Sequence, residues 1–330
     1  MFDFDPKYMA RALELASHGR QYASPNPMVG AVIIRDNKII GEGFHRRCGE
    51  GHAEVNAVNS VADPELLKDS TMYVTLEPCS HYGKTPPCAQ LIIDKKIPRV
   101  VVGATDPFIK VSGRGIKMLQ DAGVEVVTGI MAEESMRLNL RFFTAHTQKR
   151  PFITLKWAIS RDGFMDRKRN PGQPAARFST VLSTVDMHRL RSYNDAILTS
   201  SRTVNADNPS FTVRSWHGRD PRPVIIDRHG SIRPEASILE RNPIIYNGDL
   251  SLSEILNDLY NNHGITSVLV EAGPTLLQSF INDDLWDIMR VEVSPQELGS
   301  SGTCPAPHIN CIPQEVFKIG DNTIYLYSNK

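Results

Sequence analysis

Two short segments limit what this chain can become: Gly-His52-Ala-Glu54, and Glu-Pro-Cys79-Ser-His-Tyr-Gly-Lys-Thr-Pro-Pro-Cys88. Together they hold one imidazole, two thiols and an extra carboxylate. An imidazole and two thiolates are a ligand set for zinc that leaves the fourth tetrahedral position to water. Two thiolates also cancel the charge of the ion, which lowers the cost of burying it. The fold must therefore bring His52, Cys79 and Cys88 to one point. Both ligand segments sit where helices should begin: His52 opens one, and Pro86-Pro87-Cys88 opens the next. Helix N-termini favour thiolates.

Glu54 separates a catalytic site from a structural one. Residues i and i+2 do not share a face in mid-helix. At a first turn the metal can sit off the helix end and meet both side chains. A carboxylate there can take a proton from zinc-bound water and pass it to a ring nitrogen and departing ammonia. Such a site would remove an amino group from a heterocycle. The competing reading is a closed structural site with His45, Cys48 or His81 as fourth ligand. His-x-Glu alone is a weak signal, but followed by two Pro-Cys pairs it is strong. Eight residues separate Cys79 from Cys88, so the insert between them must form an extra loop.

The length of 330 residues suits two domains of about 150 each. Lys+Arg and Asp+Glu both number 37, so no net field favours nucleic acid or an anionic membrane. No run of 18 apolar residues is present, so no membrane span is expected. The start, MFDFDPKYMA, lacks the pattern of a secretory signal. Five cysteines at irregular spacing fit a reducing, cytoplasmic setting better than a disulfide framework.

The first half alternates helix-like and strand-like runs. The patterns predict helices at 7–19, 52–62, 86–95 and 113–123, and one long helix over 132–148. Strands are expected at 28–36, 39–45, 72–77, 99–106 and 124–130. This reads as a three-layer α/β domain over 1–149. A second α/β domain over 150–330 would hold strands at 152–160, 196–200, 223–227, 243–247 and 267–272. Its helices are expected at 184–193, 253–262 and 274–284, and 161–178 reads as a mobile, basic loop. In VLVEAGPTLLQSF (268–280), Gly273 lets backbone approach a ligand and Pro274 suits a first helical position. The free N–H groups of that helix start suit phosphates. The same pattern also fits a plain helix start.

TLEPCSHYGKTPPC, with PNPMVGAVI upstream and GEGFHRRCGEGHAEVNA between, resembles the deaminase half of the bifunctional riboflavin-biosynthesis deaminase/reductases. LKWAISRDG, LRSYNDAILTSSRTVNADNPSFTVR and EAGPTL resemble the reductase half. The resemblance implies a cytidine-deaminase-like fold followed by a dihydrofolate-reductase-like fold. It implies zinc and NADPH as cofactors, and a diamino-hydroxy-pyrimidine ribotide as substrate. A homo-oligomer, a dimer or more, is also expected. Zinc would lie on His52, Cys79 and Cys88, with Glu54 catalytic. Asn26 would lie in the pyrimidine pocket, where a turn-forming Asn before Pro27 reads equally well. His45 and Lys84 would be neighbours of the ring or phosphate. Asp106-Pro107 and Gly113-Arg114-Gly115 read as mostly structural, with Arg114 a phosphate contact.

In the second half the resemblance places Trp157, Ala158, Phe178, Thr203 and Asp207 around the nicotinamide. Gly273, Pro274, Thr275, Leu276 and Leu277 would hold the cofactor phosphates. Lys156, Ala176, Arg191, Phe211, Arg214 and Glu271 would meet the substrate. The guanidinium fork suits a ribose phosphate. Hydride would pass to C1 of the ring-opened ribose, with Asp207 as donor or orienter of a proton. This chain departs from the family at Arg161, where Leu is usual. It departs again at Ala176-Arg177-Phe178-Ser179-Thr180, where the family carries Ser-x-Trp-Ile-Thr. Arg167, Lys168, Arg169 and Arg177 form either a phosphate-gathering lid or a solvated basic loop. Two other readings compete: a zinc-dependent deaminase of another nucleotide or nucleic-acid base with a degenerate second domain, and a structural zinc module that presents an interaction surface. The neutral charge and the second domain argue against a nucleic-acid substrate, and Glu54 beside the ligand set argues against the module.

Overall fold

The structure, a computed structural model, describes residues 4–81, 86–106, 113–170 and 173–329, and every count below refers to these. The chain divides into two compact units between Gln148 and Lys149.

The first unit holds helices α1 (Pro6–Ser17), α2 (Ala53–Asn59), α3 (Cys88–Asp94), α4 (Arg114–Asp121), α5 (Ala132–Leu138) and α6 (Leu140–Gln148). Its strands are β1 (Gly30–Arg35), β2 (Lys38–Phe44), β3 (Thr71–Leu76), β4 (Arg99–Ala104) and β5 (Glu125–Thr128). They form one sheet in the order β2-β1-β3-β4-β5. β1 runs antiparallel to β2 and β3, and β3, β4 and β5 are parallel. Successive side chains of a strand face opposite ways, and both faces here are apolar. Val32, Tyr73 and Val101 pack with Tyr8, Met9, Ala12 and Leu15 of α1. Ala31, Ile33, Met72, Val74, Val100 and Val102 pack with Ala57 of α2, Ile92 of α3 and Leu119 of α4. The result is three layers. α2 presses on β2 at Gly43, where an added Cβ would lie 2.3 Å from the Ala57 nitrogen. That contact fixes the helix carrying His52 and Glu54.

In this unit the long helix expected over 132–148 is not continuous. The run 132–148 is two helices, broken at Asn139. The Asn139 amide accepts the Met28 N–H at 2.7 Å and donates to the Met28 carbonyl at 2.8 Å. This side chain pairs with distant backbone as a strand would, and the pairing outweighs helix continuity.

The second unit holds β6 (Phe152–Ile159), β7 (Phe164–Arg167), α7 (Val181–Ser192), β8 (Ala196–Ser200), α8 (Ser201–Asp207), β9 (Arg222–Ile226) and β10 (Ile244–Tyr246). α9 (Leu252–Asn261), β11 (Ser267–Val270), α10 (Pro274–Asn282), β12 (Ile288–Val293), β13 (Gly302–Pro305), β14 (Glu315–Ile319) and β15 (Asn322–Ser328) follow. Eight strands run in the order β10-β9-β8-β11-β6-β12-β15-β14, and β7 pairs with β13. The first six are parallel, and β15 and β14 close the sheet antiparallel. Val268 and Val270 face a core with Leu277 and Phe280, whereas Leu269 faces one with Met187, Val204 and Phe211. The expected loop 161–178 therefore contains a strand, β7, held by its partner far along the chain. The pattern also missed α8. It is a single seven-residue helix with only Val204 buried, started by Ser200.

Candidate metal centre and cofactor pocket

His52 is the N-cap of α2, and Cys88 is the first residue of α3 after the Pro87 cap. Cys79 follows β3. Nδ1 of His52 lies 3.7 Å from the Cys79 sulfur and 3.3 Å from that of Cys88. One donor atom from each of the three lies within 4.8 Å of the others, and no fourth His, Cys, Asp or Glu joins them among the described residues. The Cys88 N–H donates to the Cys79 sulfur at 3.2 Å, as expected for a thiolate at a helix start. The two thiols share one deprotonated form. A hydrogen bond from Cys88 holds the Cys79 thiol well below the usual thiol range, against burial and with help from His52. The same sharing drives the Cys88 thiol upward. None of the fourth ligands considered from sequence joins the donor set among the described residues. The His45 ring centroid lies 5.5 Å from that of His52, but both its nitrogens are engaged elsewhere.

Glu54 lies in the first turn of α2 and is 3% exposed. Burial pushes its carboxyl up to about 7, and the Cys79 charge adds to this. A narrow pocket of about 60 Å³ is lined by Pro27, Val29, His45, His52, Glu54, Leu76, Glu77, Cys79 and Asp106. The Asn26 amide approaches Nε2 of His45 at 3.1 Å, and Nδ1 of His45 faces the Gly51 carbonyl at 3.2 Å. That pattern fits a neutral ring protonated on Nδ1. Burial favours the same form by lowering the pKa. Asn139 steadies the 26–29 segment through Met28.

Two residues here escaped the sequence reading. Asp106, expected to be structural, lines the pocket. Glu77 is buried, and its carboxylate accepts N–H groups from Gly113 (2.9 Å), Gly115 (2.9 Å), Asp106 (3.3 Å) and Ile116 (3.5 Å). The available signal was a charge at the end of a wholly buried strand, directly before Pro-Cys. Arg114 is exposed at the start of α4. Lys84 and Pro107 lie outside the described residues.

The second unit has a pocket of about 630 Å³. Lys156, Trp157, Ala158, Thr203, Asp207, Phe211, Glu271, Gly273, Pro274, Thr275 and Leu276 all line it. The indole N–H of Trp157 is buried without a partner among the described residues. Gly273 caps α10 without a side-chain bond, and Gly273, Pro274, Thr275 and Leu276 line the pocket, so the helix start with its first N–H groups lies at the pocket wall. Lys156 is buried with its ammonium 3.8 Å from Glu292. Burial lowers its pKa, opposed by the Glu271 and Glu292 charges.

Other expected contacts fall elsewhere. Leu277 is fully buried in the core, so it offers the pocket no side chain. Phe178 is also buried, and its carbonyl accepts from Asn322 at 2.9 Å. Ala176 donates its N–H to Asp166 at 2.9 Å, and Arg214 is exposed. These three lie off the pocket wall, as does Arg191. The Arg191 guanidinium instead forms a two-bond pair with Glu271, both at 2.8 Å, and lies 5.3 Å over the Phe211 ring. Burial opposes ionisation of Glu271, but the arginine beside it holds the pKa below the ordinary value. Of the four basic loop residues only Arg169 reaches the wall, where Asp166 and Asp207 pair with it at 2.7 Å. Arg202 and Cys304, unassigned from sequence, line the pocket as well.

Residues 3–104 match the family model for the cytidine and deoxycytidylate deaminase zinc-binding region, and 151–324 match that for the RibD C-terminal domain. The chain is 37% identical over 356 residues to riboflavin biosynthesis protein RibD of Escherichia coli, covering 95% of each. It is 36% identical to RibD of Aquifex aeolicus, covering 90% of this chain and 88% of that one. Among solved structures, Acinetobacter baumannii RibD superposes with a TM-score of 0.90 at 32% identity, covering 98% of this chain and 99% of that one. A Thermotoga maritima diaminohydroxyphosphoribosylaminopyrimidine deaminase/5-amino-6-(5-phosphoribosylamino)uracil reductase gives 0.86 at 33% identity, covering 98% of each.

Proposed function

Since the chain belongs to the RibD family of riboflavin-biosynthesis enzymes, we propose that its first unit deaminates through His52, Cys79, Cys88 and Glu54 and its second reduces through the 630 Å³ pocket. The protein is a bifunctional deaminase and reductase of riboflavin biosynthesis, with zinc and NADPH as cofactors. Its first substrate on this reading is the diamino-pyrimidine ribotide named for the Thermotoga relative. We assign the deaminase to residues 1–149 and the reductase to 150–330. A homo-oligomer in the cytoplasm belongs to the same reading. Among the described residues no helix is long and apolar enough to cross a membrane.

The observation that carries the reading is the meeting of one imidazole and two thiols beside a buried carboxylate. The donor set fits zinc with one position open to water. A zinc ion held there supplies a Lewis acid and acidifies the water in that position. Glu54 takes a proton from the attacking water and gives it to the ring nitrogen, then carries the proton of the newly added hydroxyl to the amino group, which leaves as ammonia while the carbonyl forms. Asn26 and the neutral His45 hold the polar edge of the pyrimidine. Pro27, Val29 and Leu76 give its faces an apolar wall that limits stray water.

The second pocket fits a dinucleotide through its orphaned Trp157 N–H and the uncapped start of α10. NADPH supplies the hydride. The Gly273–Leu276 backbone receives its phosphates, while Trp157, Ala158 and Thr203 border the nicotinamide. Glu271, aimed by Arg191, and the Lys156 ammonium face the sugar. Asp207 is the proposed proton donor or orienter. The experiment follows ammonia release and NADPH oxidation from one solution of protein and ribotide. Ammonia should appear without NADPH, and oxidation should require prior deamination. Ammonia-free oxidation, or neither signal, would overturn the assignment.

A further inference from the structure

We infer that Glu77 is a positioning residue of the deaminase: its carboxylate fastens the Cys79 ligand segment to the start of α4 and so sets the zinc site's affinity. This rests on the reading of His52, Cys79 and Cys88 as the zinc ligands.

Glu77 directly follows β3, two residues before Cys79. One carboxylate oxygen accepts the N–H groups of Gly115 and, more loosely, Ile116, and the other accepts those of Gly113 and Asp106. Gly113 caps α4 but has no side chain to satisfy the free N–H groups behind it. A carboxylate from a distant strand does the work of an N-cap, and its charge suits the helix's positive end. With its acceptor sites filled, it has no capacity left to bind substrate.

The clamp reaches Cys79 through rigid links. The Glu77 N–H bonds the Ala104 carbonyl at 2.9 Å, which fixes the main chain at the strand end. Pro78 allows little rotation. Its carbonyl sits so near α4 that a Cβ on Gly115 would lie 1.9 Å away. The Cys79 carbonyl then accepts the Ala89 N–H at 3.1 Å, while its sulfur accepts that of Cys88. The strand end is thereby held between α4 on one side and α3 on the other. The same carboxylate fixes Asp106 at the pocket wall.

The test uses the full chain. Zinc affinity is measured by chelator competition, and the absorption of cobalt(II) at the site is recorded for wild type and Glu77→Gln. The amide substitution keeps shape but points an N–H₂ at backbone donors. Zinc affinity should fall about 10- to 100-fold, and the cobalt spectrum should shift. Reduction of separately supplied deaminated ribotide should stay at the wild-type rate. Unchanged affinity and spectrum in folded Glu77→Gln would overturn the inference. Should that variant not fold, wild type gives the reciprocal measurement. Stripping zinc should speed amide exchange at Gly113 and Gly115 while leaving Val101 protected, and unchanged exchange there overturns it. If wild type itself fails to bind one zinc, the ligand assignment falls instead.

Discussion

At the scale of the residue, paired charges in the reductase pocket make the sharpest demands. Arg191 and Glu271 are nearly buried and joined by two bonds. Removing one partner strands the other, which typically costs about 3–5 kcal/mol. Arg191→Met should therefore lower the denaturant midpoint sharply, though Arg191 lies off the pocket wall. The pair also fixes an acid dependence. Burial raises the Glu271 pKa, but the arginine more than offsets this and the folded value is depressed. Its stabilising share is then present above the unfolded value, about 4.3, and is lost as pH falls through the lower folded value. Glu271→Gln should flatten the loss of stability between about pH 5 and 2. A slope equal to wild type would show that folding does not depress the pKa of this carboxyl.

At the scale of the element, the contacts that set the site are close approaches rather than propensities. Gly115→Ala would drive a methyl into the Pro78 carbonyl. We expect α4 to shift and ammonia release to fall, with far-UV dichroism little changed. Asn139→Ala should free Met28 and raise the KM for pyrimidine through the Asn26 segment. An unchanged KM would separate Asn139 from the pocket. The elements themselves were partly legible. The β1, β3 and β4 runs read as strands from their β-branched and apolar residues, and they are buried along most of their length. The ligand segments were legible because metal chemistry limits residue types and because proline and histidine mark helix starts. Asn139 was not legible, since its effect depends on a partner 111 positions away. β7 likewise exists through β13. The β14–β15 hairpin, turning at Gly320-Asp321, was present in the sequence as a Gly-Asp turn between alternating runs but went unread. The Glu77 clamp is a tertiary cap: a charge before Pro-Cys marks the residue, but its partners 36 to 38 positions away do not show in a local pattern.

At the scale of the whole molecule, one polypeptide carries two separable reactions. A zinc chelator should abolish ammonia release yet leave NADPH oxidation intact when the deaminated ribotide is supplied. Loss of both activities together would mean that the metal holds more than the first unit's chemistry. The central claim is narrower: a carboxylate beside three zinc ligands moves the proton in deamination. The most direct measurement pairs metal content with ammonia release in Glu54→Gln. The variant should hold one zinc per chain, as wild type does, with ammonia release reduced about 10²- to 10⁴-fold. Zinc-replete Glu54→Gln that releases ammonia at the wild-type rate would contradict it.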